Sequence, residues 1–586
     1  MATVKTFLSK TKNQLYLLIL LATCLNMNTL SNEYAADDTV VLTGNTIVAK
    51  GIRGIPELLT SDLLYGICKK DVNISGGRYR PFALIVFALE YQIFGLTPFV
   101  SHLINVLLFA LLIALLFQLL QKYIFKEHHP YLAFVTCLLF VAHPIHTEVI
   151  ANVKSRDELI TFILLLITSF SYIKYFQKPS AWIVIIGLTS FFLALLTRES
   201  AVPFIAVIPL VAYYFFGQTI KRSMQLSIPL IGVFIVYLAI RFSVLGFHNL
   251  SDKNVMNYPF LYATASESFA TKVVLLFKYV SLLFFPHPLI YEYGYNEIPF
   301  NQLSSVSFIF SFIILLTLIS FAFYSLKSKT VLSFCIFFFM ITIFFFANFV
   351  IDIGAFMAER LLFQPSLAFC IIMAILYIRA SRKYLLISSI VLTSIFTVFA
   401  FRTIQRNSEW KNDRTLNFAD IAKAPNSVRI NFNTANEYLI LAAAEKNQTQ
   451  RTDYYKKAVY YDEKVLSMFR HDQLVYIDLG YAYQGLTNYF KAGDNFLYAY
   501  RADPANPEAL KRITFVSDLL YNEGNGHYRQ GNTDSAIICY KKAIELNEKN
   551  VDAWHNLSKN YLLINDTINA KYANDTWQII VKQTTN

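Results

Sequence analysis

Charge is scarce in this chain. Asp, Glu, Lys and Arg make up 15% of its 586 residues, where a soluble domain carries about 25%, and that shortfall excludes an ordinary cytosolic enzyme. Cysteine is sparse too: Cys24, Cys68, Cys137, Cys335, Cys370 and Cys539 stand apart with no Cys-x-x-Cys pair. Neither a zinc module nor a disulfide framework is indicated. What is abundant is apolar character, with 55% hydrophobic and 16% aromatic residues and a mean hydropathy of +0.43. A disordered chain is never this apolar. The net charge of +12 does not point to nucleic acid, because lysines and arginines in cytoplasmic loops account for it in a membrane protein.

A spanning helix needs about 20 mostly apolar residues, since lipid cannot satisfy an open backbone. Eleven such runs occur, at residues 15–30, 98–120, 130–150, 159–176, 182–196, 201–216, 226–240, 306–324, 331–349, 361–378 and 384–401. With the N-terminus and its Lys5, Lys10 and Lys12 inside, the inner loops hold Lys122, Lys126, Lys174, Lys178, Lys221, Arg222, Lys327, Lys329, Arg379, Arg382 and Lys383. Glu127 is their one carboxylate. The positive-inside rule therefore sets this orientation and leaves the C-terminal tail outside. A cleaved signal peptide competes with the first span, but no small-residue cleavage site precedes the polar stretch. Segments 81–94, with Glu90, and 273–285, with Lys278, are only semi-apolar. The first is expected to lie on the outer surface and the second to be interfacial or re-entrant.

Beyond the last run the pattern becomes polar and helical. Gly531, Ala536, Tyr540, Ala543, Leu546 and the stretch Asn550–Trp554 have tetratricopeptide-like spacing. A weaker copy runs from Gly493 through Ala499 and Ala502 to Pro507, and a degraded one covers residues 453–468. Such helical pairs bury their apolar faces only by stacking into a solenoid. The expected fold is all-α: a polytopic bundle over residues 1–402 with a first outer loop at 31–80, then an outward-facing repeat domain over 403–586. Its concave surface is expected to hold a protein or peptide.

Ionisable residues collect on the outer side. Asp37-Asp38 lies in the first outer loop, and His143-Pro144-Ile145-His146-Thr147-Glu148 ends the third run. Arg156-Asp157-Glu158, Arg198-Glu199 and Glu359-Arg360 approach the same boundary. Such residues are costly there unless they pair or serve a site. Together they suit transfer from a lipid-linked phosphate donor. Asp37 or Asp38 would be the base for an acceptor hydroxyl, and Arg156, Arg198 and Arg360 would balance the departing phosphate without a metal. His143, His146 and Glu148 make a poor metal set, because Pro144 interrupts their helix.

The order of these motifs resembles the transmembrane and tetratricopeptide-repeat protein O-mannosyltransferases, of the GT-C class of polyprenyl-phosphate-sugar glycosyltransferases. The resemblance rests on Asp37-Asp38, Tyr79-Arg80-Pro81, and Gly95-Leu96-Thr97-Pro98 with His102 and Asn105-Val106. It continues through the His143–Glu148 run, Arg156-Asp157, Ala358-Glu359-Arg360 with Pro365-Ser366, and Arg402–Asn407 with Trp410. Arg198-Glu199 stands where a Lys-Glu pair is usual. The resemblance implies metal-independent, inverting transfer of a sugar, typically mannose, from a polyprenyl phosphate to serine or threonine, with no cofactor. It places Arg80, Arg156, Arg198 and Arg360 in the phosphate or sugar pocket, with His143, His146, Glu148, Glu199 and Glu359 around them.

Two alternatives differ in kind. A ligase moving a whole lipid-linked oligosaccharide would concentrate arginines in a late outer loop, yet residues 246–302 hold His248 and His287 and no arginine. A non-catalytic membrane-anchored repeat scaffold would tolerate loss of both aspartates. The outward catalytic face fits bacterial periplasm or endoplasmic-reticulum lumen, and the compact chain favours the bacterial inner membrane.

Overall fold

The computed structural model describes residues 9–69, 77–246, 255–350, 353–470 and 472–585. Lys5 and His248 lie outside the described residues. Helices and short turns make up the described chain, and its one isolated bridge joins Tyr293 to Met357. Two compact units result, Met1–Ser427 and Val428–Asn586. Composition placed the change after residue 402, but the helix Leu385–Glu409 runs through that point and Asp413–Ile421 stays with the first unit.

In the first unit the elements that build the polar end are α1 (Thr11–Cys24), α2 (Pro81–Phe94), α3 (Pro98–Leu119), α4 (Leu132–Ala142), α5 (Arg156–Gln177), α6 (Ala181–Thr197), α7 (Ser366–Ser381) and α8 (Leu385–Glu409). Among the described residues six helices are long and apolar enough to span a membrane, and α4 with the bent segment Pro144–Ala151 makes a seventh. The eleven expected from composition are thus not reached on length. The cause is local. At the polar end the chain leaves helical geometry to present side chains: α4 stops before extended His143 and the axis turns by 57°. Likewise α6 stops before extended Arg198, and α7 starts only after the turn Glu359–Leu362. Lys122 and Lys174 follow or close α3 and α5 at the opposite end, where Tyr123 packs on Phe170 with ring centroids 5.8 Å apart.

The loop after α1 folds into short turns with a core of its own. Val41, Leu42, Ile47, Val48, Leu58 and Leu63 pack with Leu84, Phe87 and Ala88 of α2, each large side chain contributing about 1.5–3 kcal/mol by burial. Pro81 opens α2, where its missing N–H costs nothing. Close packing there depends on Gly51, at φ 60°, where a Cβ would sit 2.2 Å from Gln92 Oε1.

The second unit consists of helical hairpins: Val428–Ala444 with Gln448–Met468, and Gln473–Gly485 with Tyr489–Ala502. They continue as α9 (Pro507–Arg529) with α10 (Thr533–Leu546), and Val551–Leu563 with Thr567–Thr585. Ala492, Ala499, Ala536, Tyr540 and Ala543 are fully buried. Small residues let paired helices approach, and the aromatic ring fills the space beside them.

Candidate active site

Asp37 and Asp38 are neighbours with opposite surroundings. Asp38 is buried, and its carboxylate accepts from Ala35 N–H at 3.0 Å and from Lys154 N–H at 2.7 Å. Burial raises its carboxyl to about 7, aided by Asp37 and opposed by those two hydrogen bonds. Asp37 is 49% exposed, with one oxygen 3.3 Å from Lys154 Nζ. What burial it has raises its pKa, but Lys154, Arg360 and Arg78 more than offset this and hold the carboxyl well below the usual range. Sequence alone left the pair unresolved; the structure gives Asp38 an anchoring position and leaves Asp37 open.

The loop bearing them is tied to α8. Asn28 and Asn32 donate to the Ile404 and Asn407 carbonyls at 2.9 and 3.0 Å, and Asn407 Nδ2 donates to Leu25 O at 3.1 Å. Ala36 N–H donates to Asp413 Oδ1 at 2.6 Å, and buried Trp410 packs with Ala35. Arg406 is held by both oxygens of Asp420, at 2.6 and 2.9 Å. The Arg402–Trp410 motif is therefore a clasp on the aspartate loop.

The other predicted residues fall into three groups. Arg80 and Arg198 share Asp157, at 3.1 and 2.7 Å, and each takes a second acid, Glu199 at 2.7 Å and Glu158 at 2.8 Å respectively. A lysine at 198 lacks the planar fork for this double engagement. Arg360 pairs with Glu148 through Nη1 and through its backbone N–H at 2.8 Å. Its Nε is buried with no partner among the described residues, and its charge acts on Asp37.

Arg156, Glu359 and the histidines are turned elsewhere. Arg156 is fully buried, paired with Glu90, donating to Asn105 Oδ1 at 2.7 Å and Ser101 O at 2.9 Å, with Phe87 under its guanidinium at 4.7 Å. Its donors are consumed by the fold. Glu359 accepts from Ile290 N–H at 2.6 Å and the Tyr293 hydroxyl at 3.1 Å, and burial pushes its carboxyl up to about 8. His143 accepts from Ile145 N–H at 3.2 Å and meets Leu283 O at 3.0 Å. His146 bridges Phe140 O and Ser366 Oγ, both at 2.8 Å. With both ring nitrogens engaged, each histidine fixes the α4 bend.

Two residues were missed. Lys154 is buried and contacts both aspartates, through its backbone N–H and its Nζ. Arg78 is half-buried and has no carboxylate at ion-pair distance among the described residues, although Asp37, Glu199, Arg80 and Arg360 all act on it electrostatically. Burial, with Arg80 beside it, lowers its pKa. The available signal was a basic residue two positions before an arginine already singled out, Arg156 in one case and Arg80 in the other.

Fold and site together define an all-α polytopic membrane helix bundle with tetratricopeptide-like helical hairpins and a cluster of charged side chains at one end of the bundle. A family model for the TPR repeat matches residues 524–563. Protein O-mannosyl-transferase TMTC3 of Mus musculus is 23% identical over 560 residues, covering 83% of this chain and 59% of that protein. Protein O-mannosyl-transferase TMTC1 of Homo sapiens is 24% identical over 478 residues, covering 70% and 51%. Protein O-mannosyl-transferase Tmtc3 of Drosophila melanogaster is 22% identical over 566 residues, covering 83% and 59%.

The chain is thus similar, over most of its length, to these protein O-mannosyl-transferases. It spans between half and three-fifths of the length of these relatives. The expectation of a bacterial inner membrane is corrected by the comparisons, because the relatives matched are animal proteins, from mouse, human, fruit fly and nematode. Membrane integration itself stands.

Proposed function

We propose that the first unit transfers a sugar, mannose by analogy with the relatives' names, from a polyprenyl phosphate to serine or threonine hydroxyls. One observation carries this reading: a half-exposed carboxylate, Asp37, lies within the influence of three cations, Lys154, Arg78 and Arg360. Among the described residues two of those cations retain unused donors, since Arg78 has no carboxylate at ion-pair distance there and Arg360 Nε has no partner. Asp37 takes the hydroxyl proton. The acceptor oxygen attacks the anomeric carbon opposite the phosphate, the carbon–phosphate-oxygen bond breaks, and the polyprenyl phosphate leaves with the electron pair. The sugar configuration inverts. Arg78 and Arg360 meet the charge developing on the leaving group, an electrostatic contribution that is largest in a water-poor pocket.

The same cations make Asp37 a weak base while the pocket is empty of phosphate. A donor phosphate neutralises Arg78 and Arg360 and raises the proton affinity of Asp37 when proton transfer is needed. Arg80 and Arg198, locked to Asp157, Glu158 and Glu199, hold the pocket wall. Four of the five shorter apolar helices, Ala181–Thr197, Glu199–Phe215, Val331–Phe344 and Ser366–Ser381, complete an eleven-span GT-C-type bundle in this reading, with Pro81–Phe94 left outside it. The repeat unit receives the acceptor protein.

The test is transfer of labelled sugar from polyprenyl-phosphate mannose to a serine/threonine peptide by the full chain. Wild type should transfer, and Asp37→Asn should not. Equal rates in both would sink the base assignment, and no transfer from any polyprenyl-linked monosaccharide would sink the reaction.

A further inference from the structure

The repeat unit contains a second chemical constellation, formed by residues of α9 and α10. Glu523 and His527 lie one turn apart on α9 and so share a face. Cys539 lies on α10, which pairs with α9. One oxygen of Glu523, one ring nitrogen of His527 and Cys539 Sγ all lie within 4.8 Å of one another. None of the three side chains has a hydrogen bond or ion pair elsewhere among the described residues, and Glu523 Oε2 is a buried oxygen without a partner. Cys539 is buried and free of any disulfide. The helices meet closely here because Gly524 adjoins Glu523: a Cβ at that position would stand 2.7 Å from Tyr540 Cε1.

We propose that Glu523, His527 and Cys539 bind one zinc ion and clamp α9 to α10. A buried carboxylate oxygen left without a donor is costly, and a cation is the partner that satisfies it together with an imidazole and a thiolate. Tetrahedral zinc with bonds of about 2.0–2.3 Å holds its ligand atoms roughly 3.3–3.8 Å apart, a closure within reach of side-chain rotation. Magnesium and calcium are disfavoured, since they take oxygen ligands, whereas a sulfur–nitrogen–oxygen set suits zinc. On binding, the metal–sulfur bond forms as the Cys539 thiol proton leaves to water. Three protein ligands leave a fourth position for water or for a donor atom of a docked peptide. Spacing alone concealed the set, because its ligands come from two helices and no Cys-x-x-Cys marks it.

The experiment uses the full chain in detergent, stripped with a chelator, re-equilibrated with zinc sulfate and desalted before metal analysis. Wild type should retain one zinc per chain, and cobalt in its place should show a thiolate-to-metal charge-transfer band. Cys539→Ser should abolish that band. Because Cys539 is buried, Glu523→Gln and His527→Ala on the half-exposed face of α9 serve as the second readout: each should lose the ion with helix content unchanged. The proposal is overturned if wild type retains no more zinc than the Glu523→Gln/His527→Ala double variant. It is equally overturned if bound cobalt shows no thiolate band.

Discussion

Asp37 and Asp38 divide the work of one acidic dipeptide, and substitution should separate the two halves. Asp37→Asn removes the open carboxylate and touches no backbone partner, so the loop should stay folded while transfer falls about 10²–10⁴-fold. Asp38→Asn keeps one acceptor oxygen for two backbone N–H groups, those of Ala35 and Lys154. One buried donor is left unpaired, at about 1–3 kcal/mol, so this variant should melt at lower temperature yet keep measurable transfer. Lys154 adds a pH signature. Burial pulls its ammonium down to about 8, against the pull of Asp37. An unfolded lysine titrates near 10.4, so between these values the folded chain binds fewer protons, and the stability contribution of this residue rises with pH. Activity runs the other way: above about 8 the neutral amine no longer holds the Asp37 carboxylate in place, a loss of position that outweighs the gain in basicity, and transfer should decline. Lys154→Arg stays charged and should move that decline far to the alkaline side. An unmoved limb would assign it to another group. The acidic dipeptide was legible in the sequence. Which aspartate is open, and which arginine has no acid beside it among the described residues, were not, because both depend on neighbours distant along the chain.

At the scale of elements, apolar run length was a good guide to where helices lie and a poor one to how long they are. Runs counted near His143, Arg198 and Glu359 included residues that the chain diverts into turns. Helical phase explains the other miss. Arg156, Asp157 and Glu158 are consecutive, but successive helix residues point about 100° apart, so Arg156 meets Glu90 while Asp157 and Glu158 meet Arg80 and Arg198. The prediction is specific to this arrangement. Arg156→Met strands the Glu90 charge, and breaking a buried pair costs about 3–5 kcal/mol. Its loss should therefore appear as failed folding or a large fall in Tm. Arg78→Gln, whose parent side chain abandons no acid among the described residues, should leave Tm nearly unchanged and weaken donor use, read as a higher KM for the polyprenyl-phosphate sugar.

For the whole molecule, the decisive question is where the membrane unit ends. A composition boundary at residue 402 cuts α8 before Arg406, Asn407 and Trp410, and before Asp413. Of these, Asn407, Trp410 and Asp413 hold Asn32, Leu25, Ala35 and Ala36 on the loop that carries Asp37. The contact boundary after Ser427 spares all of them. Hydropathy registers the loss of apolar character but cannot register that a polar stretch belongs to the core behind it, which is why the tail looked longer in sequence than it is. Chains stopped at 402 and at 427 should consequently behave differently. The longer one should keep a cooperative melting transition and transfer sugar to short peptides at the rate of the full chain, while losing any preference for protein acceptors recruited by the repeats. The shorter one, with the aspartate loop unclasped, should expose residues 31–50 to rapid amide exchange and transfer to neither kind of acceptor. Equal activity in the two truncations would mean that α8 does not position Asp37.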